Sequence, residues 1–208
     1  SVTDINGGGN TDTVNIGSPA NTVDGVLGPV FVTGAGHDAG NTSLTVRGDT
    51  NTLASGDILN INDQGDANDN TYNLTDTTFQ RTAAGTPTGT VTYATVETVN
   101  LNAGIGAADV NISDTADSVN TNVTTQDQGD DVDIATTGNS SNTVINTAGG
   151  DDTVDLLNTG TAAFVQINTS TGNDTVTQQN SGGASRVQIN TATGTDTINI
   201  WASGATSE

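Results

Sequence analysis

The chain has 208 residues, of which 24 are acidic and 3 are basic, so its formal net charge at pH 7 is -21. Val, Ile, Leu and Phe make up about a fifth of the residues, a composition at the border of intrinsic disorder. The sequence lacks the clustered cations that bind nucleic acid and the Cys residues that form disulfides or carry out thiolate chemistry. It also lacks an apolar run long enough for a membrane helix.

The first 98 residues predict irregular β-coils with insertions. The segment TDINGGGNTDTVNI (residues 3–16) predicts a first coil, and VFVTGAGHDAGNTSLTV (residues 30–46) a second one that contains an insertion. Further along, ILNI, TYNL and VTYATVETV are short apolar runs bounded by longer loops, which predicts strands. The single histidine, His37, has no nucleophile beside it, and we expect it to be a turn residue.

From Val99 onward the sequence divides into five segments of 22 residues without a gap. The third position of each segment is apolar: Leu101, Val123, Ile145, Ile167 and Ile189. The twelfth position is also apolar: Val110, Val132, Val154, Val176 and Ile198. The fourteenth position is apolar in four of the five segments, and the eighteenth is Gly in four: Gly138, Gly160, Gly182 and Gly204. A disordered acidic chain has no reason to keep such columns, so the repeat predicts a folded protein.

Apolar residues alternate at period two within each segment, which indicates strands rather than helices. A segment this short cannot bury its own apolar face, but stacked copies of it can. The sequence therefore predicts an all-β, right-handed parallel β-solenoid (β-helix) with about 22 residues per coil and roughly eight or nine coils. We expect a single elongated domain over residues 1–208, with irregular coils in 1–98 and five regular coils in 99–208.

Two polar columns predict side-chain ladders with a structural role. The fourth position holds Asn102, Thr124, Asn146, Asn168 and Asn190, and the fifth holds Thr125, Thr147, Thr169 and Thr191. Each Asn amide can bond to the Asn one coil away, and Thr packs well on a sheet. We interpret both columns as structural rather than as binding sites.

An acidic column at the tenth position is the strongest candidate site. It holds Ala108, Asp130, Asp152, Asp174 and Asp196. Stacked carboxylates about 4.8 Å apart repel each other by about 3.5 kcal/mol per pair at an effective dielectric constant of 20. Backbone N–H groups or bound cations must offset this repulsion. Because the available ligands are oxygens, the expected cation is Ca²⁺.

Three turns resemble the GGxGxDxUx nonapeptide of RTX calcium-binding repeats: GGGNTDTVN (residues 7–15), TAGGDDTVD (147–155) and TATGTDTIN (191–199). In that family, Asp side chains and turn carbonyls of successive coils hold Ca²⁺. The resemblance implies calcium-binding roles for Asp12, Asp130, Asp152, Asp174 and Asp196. Several of the family's glycines are missing here, and the period is 22 residues instead of 18.

A broader resemblance covers most of the chain. GDILNINDQGD (residues 56–66) and YATVETVNLNAGIGAADVNI (93–112) look like the β-strand repeats of very large secreted bacterial surface proteins. That resemblance implies an extracellular or cell-surface location and a structural or adhesive role. The high negative charge is consistent with such a location.

Two alternative functions remain open at this stage. One is a polysaccharide-binding or polysaccharide-degrading β-helix, for which Trp201 is expected to point outward. Its candidate carboxylate pairs are Asp130 with Asp131 and Asp151 with Asp152, which are adjacent in turns by chance. An ice-binding solenoid is the other, and it requires the Thr column to lie on a flat exposed face. We expect no catalysis.

The composition and the two ends of the chain suggest assembly. A chain without Met is expected to be processed or to be part of something longer. No capping segment is visible at either end, and uncapped strand edges recruit another chain. We therefore expect a homo-oligomer or a head-to-tail filament of copies, with surface polysaccharide as a further possible partner, and neither nucleic-acid binding nor membrane insertion.

Overall fold

The computed structural model describes residues 1–36 and 40–201, so His37 and the final residues 202–208 lie outside the described part. The described residues form twenty strands and no helix. Eleven strands make a large sheet, seven make a small sheet, and two form a separate hairpin. The predicted all-β class is confirmed, and the long parallel runs in both sheets are compatible with a β-solenoid.

The regular half contains two strands for each 22-residue repeat. The first strand of each repeat lies in the small sheet: β11 (Thr98–Asn102), β13 (Asn120–Thr124), β15 (Asn142–Asn146), β17 (Phe164–Asn168) and β19 (Arg186–Asn190). The second strand lies in the large sheet: β12 (Ala108–Ile112), β14 (Asp131–Ile134), β16 (Thr153–Leu156), β18 (Thr175–Gln178) and β20 (Thr197–Ile200). Consecutive strands of the regular half therefore lie in different sheets, so each repeat contributes one strand to each sheet.

Strand pairing places equal positions of successive repeats opposite each other. Leu101 pairs with Val123, and Val110 pairs with Val132, with the same shift of 22 residues continuing to the last repeat. The apolar columns predicted from the sequence are buried in the regular repeats up to Val176. Each buried Val, Leu or Ile side chain contributes roughly 1.5–3 kcal/mol, so this core stabilises the stack despite its modest size.

The first half contains ten strands of less regular order. They are β1 (Thr3–Gly9), β2 (Thr13–Ile16), β3 (Val30–Gly36), β4 (Asn41–Val46), β5 (Asp49–Ala54), β6 (Ile58–Asn62), β7 (Asn70–Leu74), β8 (Thr78–Ala83), β9 (Thr86–Pro87) and β10 (Val91–Ala94). The large sheet runs β1-β3-β10-β8-β7-β12 before the regular strands, and the small sheet runs β2-β6-β11. Strand β8 is antiparallel to both β7 and β10, because it follows β7 through a tight turn.

The second predicted coil, residues 30–46, is wrong in its latter part. Its first run is β3 of the large sheet, but its second run is β4, which pairs antiparallel with β5 outside both sheets. The turn between β4 and β5 is Arg47 and Gly48, both with positive φ (53° and 88°). Two such residues match the twist of the flanking strands, so the local turn favours a hairpin over a further coil.

The hairpin β4–β5 packs on the outside of the small sheet. The amide of Asn51 donates to the carbonyl of Ser140 and to Asn142 Oδ1, at 3.0 and 2.9 Å. Arg186 forms an ion pair with Asp49 near the hairpin turn. These contacts explain why Asn120, Asn142 and Phe164, which face away from the core, are nevertheless buried.

The glycine column at the eighteenth position has a steric cause. A Cβ on Gly160 would lie 2.4 Å from the carbonyl oxygen of Gly138, and one on Gly182 would lie 2.5 Å from that of Gly160. Real Cβ contacts do not reach such distances. Only glycine therefore lets the loops of successive repeats approach closely enough to stack.

We expect Gly160→Ala to lower the free energy of unfolding by about 1–3 kcal/mol, because the added methyl group forces the loops of two repeats apart. Chemical denaturation monitored by circular dichroism measures this change. The matched control is Gly183→Ala, where an added Cβ meets no atom within 4 Å. Equal destabilisation by both substitutions would contradict the steric explanation.

Candidate functional site

The structure brings four of the five predicted site residues together in one column. Asp130, Asp152, Asp174 and Asp196 each lie immediately before a strand of the large sheet, in successive repeats. The first three are buried, and Asp196, in the last described repeat, is half-buried. The carboxylates are therefore inside the turns and not on the surface.

Backbone N–H groups bind this column from one repeat to the next. The N–H of Ala108 donates to Asp130 Oδ1 at 2.8 Å, and that of Asp130 donates to Asp152 Oδ1 at 2.9 Å. The series continues from Asp152 to Asp174 and from Asp174 to Asp196, at 3.0 and 3.1 Å. Of the two ways to offset the carboxylate repulsion, the structure shows the backbone N–H groups. We call this series the Asp ladder.

The second carboxylate oxygens face the Thr column. Thr147 Oγ1 donates to Asp152 Oδ2 at 2.6 Å. Asp130 Oδ2 and Asp174 Oδ2 are buried without a hydrogen-bond partner, as are the hydroxyls of Thr125 and Thr169. A buried carboxylate with one free oxygen is costly when it is charged. Protonation of the ladder carboxylates therefore changes the stability of the folded chain.

Burial changes the proton affinity of this ladder. It raises the pKa of Asp152 to about 6, partly opposed by the Thr147 hydroxyl and the Asp130 N–H, with the neighbouring charges of Asp130 and Asp174 adding to the rise. Burial also raises the pKa of Asp130. These carboxyls are neutralised at a higher pH in the folded chain than in the unfolded chain.

Asp12 belongs to a different column from the other four. It precedes β2 of the small sheet, and its N–H donates to Asp57 Oδ1 at 2.8 Å. The N–H of Asp57 in turn donates to Glu97 Oε2 at 2.7 Å. The 22-residue period does not reveal Asp57 and Glu97, because these residues are 45 and 40 residues from their neighbours in this series. The shared signal is an acidic residue directly before a strand.

The described hydrogen bonds leave few unpaired oxygens for a calcium ion in the Asp ladder. Ca²⁺ takes six to eight oxygen ligands, whereas each Oδ1 of the ladder already accepts a backbone N–H. The free Oδ2 atoms of Asp130 and Asp174 are in alternate repeats, about 9.6 Å apart, so they do not converge on one ion. Within residues 1–36 and 40–201, no group of three or more His, Asp or Glu side chains could hold a metal. Calcium binding stays a prediction.

The predicted Asn ladder is present, and a second one lies beside it. Asn190 donates to Asn168 and Asn168 to Asn146, at 2.7 and 2.8 Å. The second ladder, which the 22-residue period does not reveal in full, runs from the regular half into the irregular half through the side chains of Asn122, Asn100, Asn60 and Asn15. The Thr column is buried at Thr125, Thr147 and Thr169. It therefore does not form the exposed face that ice binding requires.

A largely buried ion cluster joins strand β8 to two loops of the irregular half. The guanidinium of Arg81, on β8, donates to Asp63, Asp66 and Asp24, and Tyr72 donates to Asp63 Oδ2. Burial raises the pKa of Asp63 despite these donors. For Asp66, burial acts in the same direction, but hydrogen bonds from Asn68 and Asn70 lower its pKa overall. Loss of the Arg81 charge would leave buried carboxylates uncompensated.

A groove of about 880 Å³ is lined in part by Asp76, Tyr93, Glu97, Asp114 and Asp117. Burial raises the pKa of Asp114, and the charges of Asp76 and Asp117 add to this rise. An acidic lining repels the uronates that polysaccharide lyases act on.

The adjacent carboxylate pairs do not form a glycosidase-like site. Asp130 is buried while Asp131 is exposed, and Asp152 is buried while Asp151 is exposed. Each pair therefore divides its carboxylates between the interior and the surface, whereas a glycosidase needs two that flank one bond.

Comparisons with protein-family models, with curated proteins and with solved structures found nothing that matches this chain. No described residue belongs to a helix long and apolar enough to cross a membrane. The function must therefore be argued from the geometry.

We expect the protein to become more stable as the pH falls from 7 to about 4. Because the pKa of Asp152 is about 6 when folded and 3.8 as a free side chain, the folded state binds the extra proton. The resulting stabilisation is present below pH 4 and is lost as the pH rises through 6. Asp152→Asn should flatten this dependence and raise the free energy of unfolding at pH 7 by up to about 3 kcal/mol.

Denaturant titrations between pH 4 and pH 7 measure both effects. Asp127→Asn is the matched control, because it removes the same charge from an exposed turn position. An equal gain from both substitutions would show that net charge, and not the ladder, determines the pH dependence.

We expect the thermal unfolding midpoint to be the same in excess EDTA and in excess CaCl₂, because backbone N–H groups already stabilise the Asp ladder. Differential scanning calorimetry at low ionic strength makes this comparison, and MgCl₂ at equal ionic strength controls for screening. A midpoint that rises with CaCl₂ alone would support the predicted calcium binding.

Proposed function

We propose that this chain is a non-catalytic structural repeat protein of the extracellular space or the cell surface. It folds as a right-handed β-solenoid of roughly eight or nine coils and forms a segment of a filament, a surface layer or an adhesin fibre. The observation that carries this proposal is the unbroken strand pairing of equal positions through five repeats in both sheets.

The use of the polar residues supports a mechanical role. Backbone N–H groups and Asn amides form hydrogen bonds along the repeat direction, from one repeat to the next. Main-chain bonds of the parallel sheets run in the same direction. A force along the stack is therefore shared among many bonds, as a stalk or fibre requires. The charge of -21 keeps such a surface hydrated and soluble.

Polysaccharide binding is the second candidate, because the only tryptophan, Trp201, is 69% exposed. An exposed indole can stack on a sugar ring. A soluble neutral glycan that changes the fluorescence of Trp201 would favour this function, because the charge of -21 disfavours an anionic ligand.

Immunogold electron microscopy of the source cells tests the structural proposal. Antibodies raised against the purified chain should label fibres or a layer outside the cells, without permeabilisation. Antibody that has been absorbed with the purified chain is the control. Gold confined to the cytoplasm of sectioned cells would overturn both the location and the role.

A further inference from the structure

The hairpin β4–β5 reaches four successive strands of the small sheet: β13, β15, β17 and β19. The amide of Asn120, which begins β13, donates to the carbonyl of Ala54 at 3.2 Å. Asn51 donates to Asn142 Oδ1, at the start of β15. Strand β4 contacts β17 and β19, and Arg186 at the start of β19 forms its ion pair beside the hairpin turn. A single local element thus touches strands from four repeats.

The hairpin lies along the stacking direction of the repeats. Its contacts move from Ala54, at the base of the hairpin, to the turn as the partner strand changes from β13 to β19. These four strands are separated by three spacings of about 4.8 Å, or about 14 Å in all. Each hairpin strand has six residues, which at about 3.4 Å per residue is long enough to cover that distance. The length of the hairpin therefore matches the four repeats that it contacts.

The column of residues beneath the hairpin is not uniform. Asn120, Asn142, Phe164 and Arg186 pair with one another in successive strands, so they occupy the same outward position of the repeat. This position holds three residue types, each opposite a different part of the hairpin: amides near the base and middle, an aromatic ring further along, and a cation at the acidic turn. The hairpin explains why the repeat varies at this position.

Apolar side chains hold the hairpin on the sheet. Val46 and Leu53 of the hairpin and Phe164 of β17 are buried, although none of them belongs to the main core between the two sheets. They form a second, smaller apolar cluster where β4 contacts β17. The ion pair between Arg186 and Asp49 is partly exposed, so it contributes little. Detachment of the hairpin would therefore expose apolar surface, which opposes detachment.

We propose that the hairpin β4–β5 is a strap that makes the repeats beneath it open as one unit. In a stack of repeats, each repeat contacts only its neighbours, so the stack can open one repeat at a time. The strap adds direct contacts between residues 66 to 137 positions apart in the chain. Opening of any strapped repeat then requires loss of the contacts that the strap makes with the others. These contacts are internal to the chain, so the strap goes beyond the proposed function and does not depend on it.

Native-state hydrogen exchange of the 208-residue chain, measured by mass spectrometry, tests the strap. Val46→Asp should detach it, because Val46 is fully buried and the new carboxylate must reach water. We expect amide exchange in β17 to become about tenfold faster or more, while exchange in β12, which precedes the strapped repeats, changes by less than about twofold. The matched control is Thr45→Asp, which adds the same charge to the adjacent, exposed residue of β4.

A second pair of variants decides the question if circular dichroism shows that Val46→Asp is unfolded. Asn51→Ala removes the two hydrogen bonds from the strap to the small sheet without adding a charge, and Thr52→Ala is its control on the exposed face. Exchange should then increase in β15 and β17 more than in β12. Faster exchange confined to β4 and β5, an equal increase in a variant and its control, or an increase in β12 as large as that in β17 would each overturn the strap. Immunogold labelling outside the cells would still support the proposed function in that case, so the two failures are distinguishable.

Discussion

The stacking of equal residues in register is the interaction on which this structure depends. It turns each residue of the repeat into a column, and every column must be compatible with its own copy about 4.8 Å away. Apolar residues meet this condition by packing, and Asn meets it by donating from one amide to the next. Asp meets it only because each carboxylate accepts a backbone N–H from the adjoining repeat.

This constraint also explains how so few large apolar residues can support a fold. In the regular half the core is built on one apolar column in the small sheet and two in the large sheet, and the side-chain ladders satisfy polar groups that would otherwise be buried without partners. Gly occupies the eighteenth column at Gly138, Gly160 and Gly182 because the loops of successive repeats approach there too closely for a Cβ. Composition alone indicated a chain near disorder, and the order of the residues reversed that expectation.

The first half shows what happens where the repeat is interrupted. The hairpin β4–β5 leaves both sheets, and β8 enters the large sheet in the antiparallel sense. Arg81 of β8 then pairs with the buried carboxylates of Asp63 and Asp66 and with the exposed Asp24. These departures make the two sheets end at different levels on the N-terminal side, so the two ends of the stack are not equivalent.

The sequence by itself determined the all-β class, the 22-residue period and the membership of the apolar, Asn and Asp columns of the regular half, because a strict period maps directly onto strand pairing. It also indicated acidic residues before strands as the candidate site. Only the tertiary structure decided that Asp12 joins Asp57 and Glu97 instead of the Asp ladder, since insertions of unequal length hide that pairing. The tertiary structure likewise decided that the Thr column is buried and that backbone N–H groups face the carboxylates. Neither a period nor a composition specifies which side of a turn faces inward.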